Sequence, residues 1–142
     1  MADESLISEM VTNDMSLDLS LYKIKIDHDK KTSGKEQVWT RSITHNLRRI
    51  ADECKVDSSI TSLGDLLWHP KESGYTQVTK EYREKIISGF EYLRENKITL
   101  EKLAPENGWG TYDAFYTFVL EYIFALQFLN LDDETYYIDA GI

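Results

Sequence analysis

The stretch TYDAFYTFVLEYIFALQFL, residues 111–129, is apolar almost all the way round a helix. Beside Tyr112, Phe115, Phe118, Val119, Leu120, Tyr122, Ile123, Phe124, Leu126, Phe128 and Leu129, the polar Asp113, Thr117 and Glu121 are spaced by four and form one narrow stripe. A helix of this kind is the central element of a core or lies against another molecule, because an exposed face would leave an aromatic patch in water. If it packs wholly inside one chain, Phe118, Phe124 and Phe128 all face neighbours from the same molecule. Otherwise one of them marks a dimer contact. A monomer is the expectation over a homodimer.

The segments around this helix supply its packing partners. Leu17, Leu19 and Leu21 alternate on one side of a strand and Tyr22, Ile24 and Ile26 on the other, as in a strand covered on both faces or one with a bulge. Asp27–Lys35 is charged, ends in Ser33-Gly34-Lys35 and reads as a turn into a second strand over Glu36–Ile43, making a hairpin. Thr44 caps a helix of about three turns whose apolar positions are Leu47, Ile50, Ala51 and Cys54. Ser62-Leu63-Gly64-Asp65 has the spacing of a capping box with a short acid, and Pro70 limits the helix opened there to one or two turns. Lys71–Tyr75 reads as loop. A longer helix opens at Thr76 or Thr79 and runs to Glu95, burying Tyr82, Ile86, Phe90 and Leu93, with Asn96 as a left-handed stop. Thr99 opens one more turn, and Tyr136–Ile138 is a candidate final strand beside the hairpin. The fold class is therefore α+β: a small antiparallel sheet, formed by the N-terminal hairpin and the C-terminal strand, packed on three main helices. The expected organisation is an acidic N-terminal arm over residues 1–15 and a single domain over 16–142.

Composition bounds the function. At 142 residues and 42% hydrophobic, the chain is large enough to build a core without disulfides or a structural metal. The net charge of −9 is concentrated at the ends, because eight of the 25 acids lie in residues 1–15 and 130–142, where there is no Lys or Arg. The remaining 17 acids face 16 bases, and no basic stripe is concentrated enough for a phosphate backbone, so nucleic acid is not an expected partner. Residues 1–14 carry neither a basic residue nor a signal-length apolar run, and a single cysteine, Cys54, agrees with a reducing compartment; a cytoplasmic protein that does not enter a membrane is the expectation. His28, His45 and His69 follow no metal-ligand spacing, and the seven glycines form no phosphate-cradling loop. No metal or cofactor is expected, and the lack of a catalytic signature leans away from an enzyme. Were there catalysis, His45 is the first candidate acid or base.

Three stretches are less generic: Ser42-Ile43-Thr44-His45-Asn46-Leu47, Leu67-Trp68-His69-Pro70, and Pro105-Glu106-Asn107-Gly108-Trp109-Gly110-Thr111-Tyr112. Together they resemble a family of short uncharacterised proteins of bacteria and their phages, with a Thr-His-Asn-Leu helix start, a Leu-Trp-x-Pro element and an Asn-Gly-Trp-Gly-x-Tyr loop before the final helix. The resemblance covers residues 36–129 and implies a fold and a phage-like setting, not a chemistry. Each motif begins or ends an element, which gives the expectation that His45, Asn46, Trp68, Trp109 and Tyr112 surround one ligand-binding cleft. The competing expectation is that they are buried and bonded to one another, pinning the sheet to the last helix. The leading functional expectation is a non-catalytic accessory protein that binds another protein. The alternatives are a binder of a small nucleotide-like or aromatic ligand and an enzyme of unrecognised class.

Overall fold

The computed structural model describes residues 16–25, 34–56, 61–73, 75–105 and 110–141. The arm expected over residues 1–15, most of the expected turn after β1, and Trp109 lie outside these. Strand β1 (Ser16–Lys25) pairs antiparallel with β2 (Gly34–Thr44) as the expected hairpin. Leu17, Leu19 and Leu21 are fully buried on its inner face. The irregularity falls on the partner strand: Leu21 pairs with Trp39 and Tyr22 with Gln37, so Val38 is an additional residue in β2. β1 thus keeps its alternation throughout. Tyr22 and Ile24 reach the opposite face, half-buried beside Lys35, Tyr137 and Asp139.

The other edge of β1 is taken by β4 (Tyr136–Gly141), which extends the expected strand by three residues and sets Ile138 opposite Leu21 and Ala140 opposite Leu19 in the core. β4 then pairs with β3 (Tyr75–Gln77), giving the order β2-β1-β4-β3, antiparallel throughout. The local sequence reads part of β3 as loop and part as a helix start. Its three residues are too few for a readable alternation, and it is a strand because β4 supplies the ladder. Val78 continues the contact by donating to the Tyr136 carbonyl at 2.9 Å.

The expected first helix is divided into a 3-10 turn (His45–Leu47) and α1 (Arg48–Glu53), and its four apolar positions are all fully buried. The capping box at Ser62 forms as expected, with Ser62 N–H donating to Asp65 at 3.0 Å and Asp65 N–H to the Ser62 hydroxyl at 3.3 Å. The helix it opens, α2 (Leu63–Ser73), is longer than the expected one or two turns and carries Pro70 inside it. A proline lacks the N–H that would bond the carbonyl four residues back, here that of Leu66. That carbonyl instead accepts from the Tyr82 hydroxyl at 3.3 Å. A hydroxyl from the next helix thus compensates for the interruption, a tertiary effect outside the reach of local sequence.

Tyr82 belongs to α3 (Lys80–Glu95), which opens on the Thr79 cap, whose hydroxyl accepts from Tyr82 N–H at 3.0 Å. Gly89 lets α3 approach α2: a Cβ there would lie 2.5 Å from Leu63 Cγ and Cδ2. Asn96 ends α3 with φ −115°, not in the left-handed region expected, because its backbone and side-chain N–H groups both bond the Tyr92 carbonyl, at 3.0 and 2.9 Å. The short α4 (Lys97–Glu101) comes next.

The final helix, α5 (Tyr112–Gln127), opens on Thr111, whose hydroxyl accepts from Ala114 N–H at 3.0 Å. It buries Tyr112, Phe115, Phe118, Val119, Tyr122, Ile123 and Leu126 against the sheet and α3. Trp39 of β2 stacks on Tyr122 at 5.2 Å and meets Phe118 edge-on at 6.2 Å. The Tyr122 hydroxyl lies 2.8 Å from that of Tyr82. Since Tyr82 donates to Leu66, Tyr122 is the donor within the pair, and both hydroxyls resist ionisation because burial disfavours the phenolate. Replacing Tyr82 by Phe leaves the Leu66 carbonyl and the Tyr122 hydroxyl unpaired inside the protein. A loss of about 1–3 kcal/mol in urea-unfolding free energy is expected, and an unchanged midpoint would show that the relay does not support α2.

Candidate functional site

Thr44, the last residue of β2, turns the chain into the 3-10 turn by accepting from Asn46 N–H at 3.2 Å. This sets His45 toward α2, where its Nδ1 accepts from the indole Nε1 of Trp68 at 2.6 Å. Nδ1 therefore carries no proton, and in the neutral ring the hydrogen sits on Nε2. Trp68 is buried, with the Arg48 guanidinium 5.6 Å from its ring centroid. Asn46 is half-buried; its Nδ2 is closed off from solvent and has no hydrogen-bond partner among the described residues. Tyr112 is buried too. Its hydroxyl donates to the Leu93 carbonyl at 2.6 Å, and burial pushes its ionisation up to about 12.

The first and third motifs also touch. Gly110 has φ +134°, and a Cβ there would lie 2.9 Å from Leu47 Cγ and 3.0 Å from Thr44 Cγ2. Gly110 thus serves two needs, a backbone conformation closed to other residues and a close fit on the 3-10 turn. Of the five residues expected around one cleft, the structure joins His45 to Trp68 directly, and Asn46 follows His45 in the same 3-10 turn. Tyr112 bonds to α3 instead, and Trp109 lies outside the described residues.

The open space lies next to these residues rather than among them. A groove of about 460 Å3 runs between the end of β2 and the start of α5, lined by Arg41, Ser42, Ile43, Thr44, Leu47, Gly110, Asp113, Ala114 and Thr117. Its walls mix the hydroxyls of Ser42, Thr44 and Thr117 with apolar groups and the charges of Arg41 and Asp113. Arg41 is held by Glu121, one guanidinium nitrogen lying 2.6 and 2.5 Å from the two carboxylate oxygens, so its charge is met from within the molecule. Asp113 is exposed and has no ion-pair partner among the described residues. The signal for this groove was the polar stripe Asp113, Thr117, Glu121: on an otherwise apolar helix it marks the flank that meets β2 polar groups and water. A smaller pocket of about 270 Å3 on the outer sheet face is lined by Tyr22, Ile24, Lys35, Tyr137 and Asp139, with the Lys35 ammonium 4.3 Å from the Tyr22 ring centroid.

Among the described residues, no three His, Cys, Asp or Glu side chains gather in a way that would hold a metal ion. Likewise, no helix among them is long and apolar enough to cross a membrane. Cys54 is fully buried, its sulfur 3.3 Å from the Ile50 carbonyl, and burial pushes its thiol up to about 12. Asp52 is shifted upward, chiefly by burial against α2 and less by the nearby Asp65, although Arg48 opposes the shift from 3.6 Å. Thr44, His45, Trp68 and Gly110 form a packed junction with a groove on its flank, a geometry suited to holding a surface in shape. No family model matches this chain, and neither does any curated protein or solved structure.

Two substitution and labelling outcomes bear on the junction. His45→Ala leaves the Trp68 indole N–H unpaired in the interior, so unfolding free energy should fall by about 1–3 kcal/mol; a variant as stable as the parent would place His45 outside the framework. Cys54 should ignore a thiol reagent at pH 8 while the chain is native and react fully in denaturant. Rapid stoichiometric labelling of the native chain would contradict its burial.

Proposed function

We propose that this protein is a non-catalytic accessory protein that binds another protein, working in the cytoplasm, with the phage or prophage setting that the motif resemblance implies. The observation that carries the reading is at the end of α5, where Phe124 is 53% and the C-cap residue Phe128 87% exposed. Phe118, the third aromatic of the set, is buried. An aromatic side chain presents about 150–250 Å2, so the two exposed rings put on the order of 300 Å2 of apolar surface into water. That is at the lower end of the largest apolar patch on a typical monomer, and a patch of that kind is often functional. Phe124 and Phe128 are four residues apart and share one helix face. Aromatics of this kind anchor protein interfaces.

The alternative of a small aromatic or nucleotide-like ligand clasped by Trp68 and Tyr112 has less behind it, since both rings are buried and their polar atoms are bonded within the chain.

Phe128→Gln should alter folding stability by no more than about 0.5 kcal/mol, because the ring is mostly in water and Gln is a good helix former. The Phe124→Gln, Phe128→Gln double variant should remain folded and lose a protein that the parent chain captures from its host. Recovery of no protein by the parent, or of the same proteins by parent and double variant alike, would count against the reading. Stabilisation of the parent by a metabolite in a thermal-shift screen would favour the small-ligand alternative.

A further inference from the structure

The two phenylalanines alone fall short of the roughly 800 Å2 that each partner contributes to a stable interface, so an interface built on them extends over neighbouring surface. The neighbouring surface is a sheet edge. β2 is the terminal strand in the order β2-β1-β4-β3, and from Gly34 to Ser42 every residue but Trp39 is exposed. Such an edge offers backbone N–H and C=O groups to an incoming strand. The bulge at Val38 breaks this edge in two, and the straight part is the six residues Trp39–Thr44, about 17 Å long at the usual rise.

α5 runs beneath that straight part in the opposite direction. Trp39 meets Tyr122 and Phe118, Arg41 meets Glu121, and Thr44 lies across the groove from Asp113. Asp113, Thr117, Glu121, Phe124 and Phe128 succeed one another at spacings of three or four and form a single stripe along the helix. From Asp113 to Phe124 the helix rises about 16 Å, close to the length of the straight edge.

We propose that the Trp39–Thr44 edge of β2 takes up an extended segment of the protein partner as an additional antiparallel or parallel strand, its inward side chains lying along the α5 stripe. This rests on the protein-binding reading and specifies the partner's chemistry. One inward side chain is basic and meets Asp113, whose carboxylate is exposed while the neighbouring Arg41 is already neutralised by Glu121. A second is apolar and meets Phe124. Side chains on one face of a strand recur every two residues at about 3.3 Å per residue, so the two lie four or six positions apart. A cation also suits a chain of net charge −9. A second copy of this chain fits less well. Of its two β2 cations, Arg41 is held by Glu121 and Lys35 lies over Tyr22 on the opposite face of the sheet, and two chains of −9 repel one another.

The test is a selection of random twelve-residue peptides displayed on phage against the full chain, followed by anisotropy titrations of the best binder. The expected binder carries Lys or Arg four or six positions from an aliphatic or aromatic residue. Asp113→Asn weakens it about fivefold or more at low salt, and the difference shrinks as salt is added. N-methylation of one alternate set of its backbone amides abolishes binding, while methylation of the other set leaves it intact. Failure to enrich any binder overturns the proposal, as does a binder indifferent to both the methylation pattern and Asp113→Asn. A two-chain mass in light scattering that reverts to one chain in the Phe124→Gln, Phe128→Gln variant also overturns it, in favour of self-association. If the double variant loses its captured protein while the amide pattern has no effect, protein binding stands and strand addition falls.

Discussion

The hydroxyl of Tyr82 lies where the three longest helices meet. It gives its hydrogen to the Leu66 carbonyl that Pro70 leaves open in α2, and accepts one from Tyr122 on α5, while its own backbone fixes the start of α3 through the Thr79 cap. α2 lies against β4, and Tyr122 carries Trp39 of β2, so this relay ties the helical layer to both halves of the sheet. A buried polar group must be bonded or it opposes folding, which makes such a junction selective as well as stabilising. Helix arrangements that part Tyr82 from Leu66 or Tyr122 strand buried oxygens.

Elements whose signals are local were legible in the sequence. The hairpin, the Ser62 capping box and the long apolar helix each arise from residues close to one another in the sequence. The features that escaped depend on distant partners. β3 is a strand because β4 lies beside it, α2 continues through Pro70 because Tyr82 reaches over from another helix, and Asn96 stays out of the left-handed region because Tyr92 holds it. For the site, His45 and Trp68 are in direct contact, while Tyr112 bonds to α3 and Trp109 lies outside the described residues. The polar stripe of α5 is the local sign of the flank on which the surface opens, and the groove falls beside Thr44, Gly110 and Asp113.

The same division separates scaffold from surface. The indole of Trp68, the hydroxyl of Tyr112 and the thiol of Cys54 are buried and bonded inside, tying the 3-10 turn to α2 and α5 to α3, while β2 meets α5 through Trp39 and Arg41. Charge and aromatic surface then appear along the seam those two elements share. Rigid elements hold this seam on both sides, so a partner meeting it orders little of the protein and loses little affinity to entropy.

The place of β4 in the sheet has a consequence for how the chain acquires its shape. β4 is synthesised after every other described element, yet it is an inner strand, bonded to β1 on one side and β3 on the other. Until Tyr136–Gly141 emerges, the hairpin and the short β3 have nothing to join them, and Leu17, Leu19 and Leu21 lack the wall that Ile138 and Ala140 later provide. Closing the sheet joins residues more than a hundred positions apart, a pairing that carries a large loop-closure cost and slows folding. During synthesis the nascent chain therefore carries an open inner edge and an apolar sheet face, the kind of surface that chaperones shield on the ribosome.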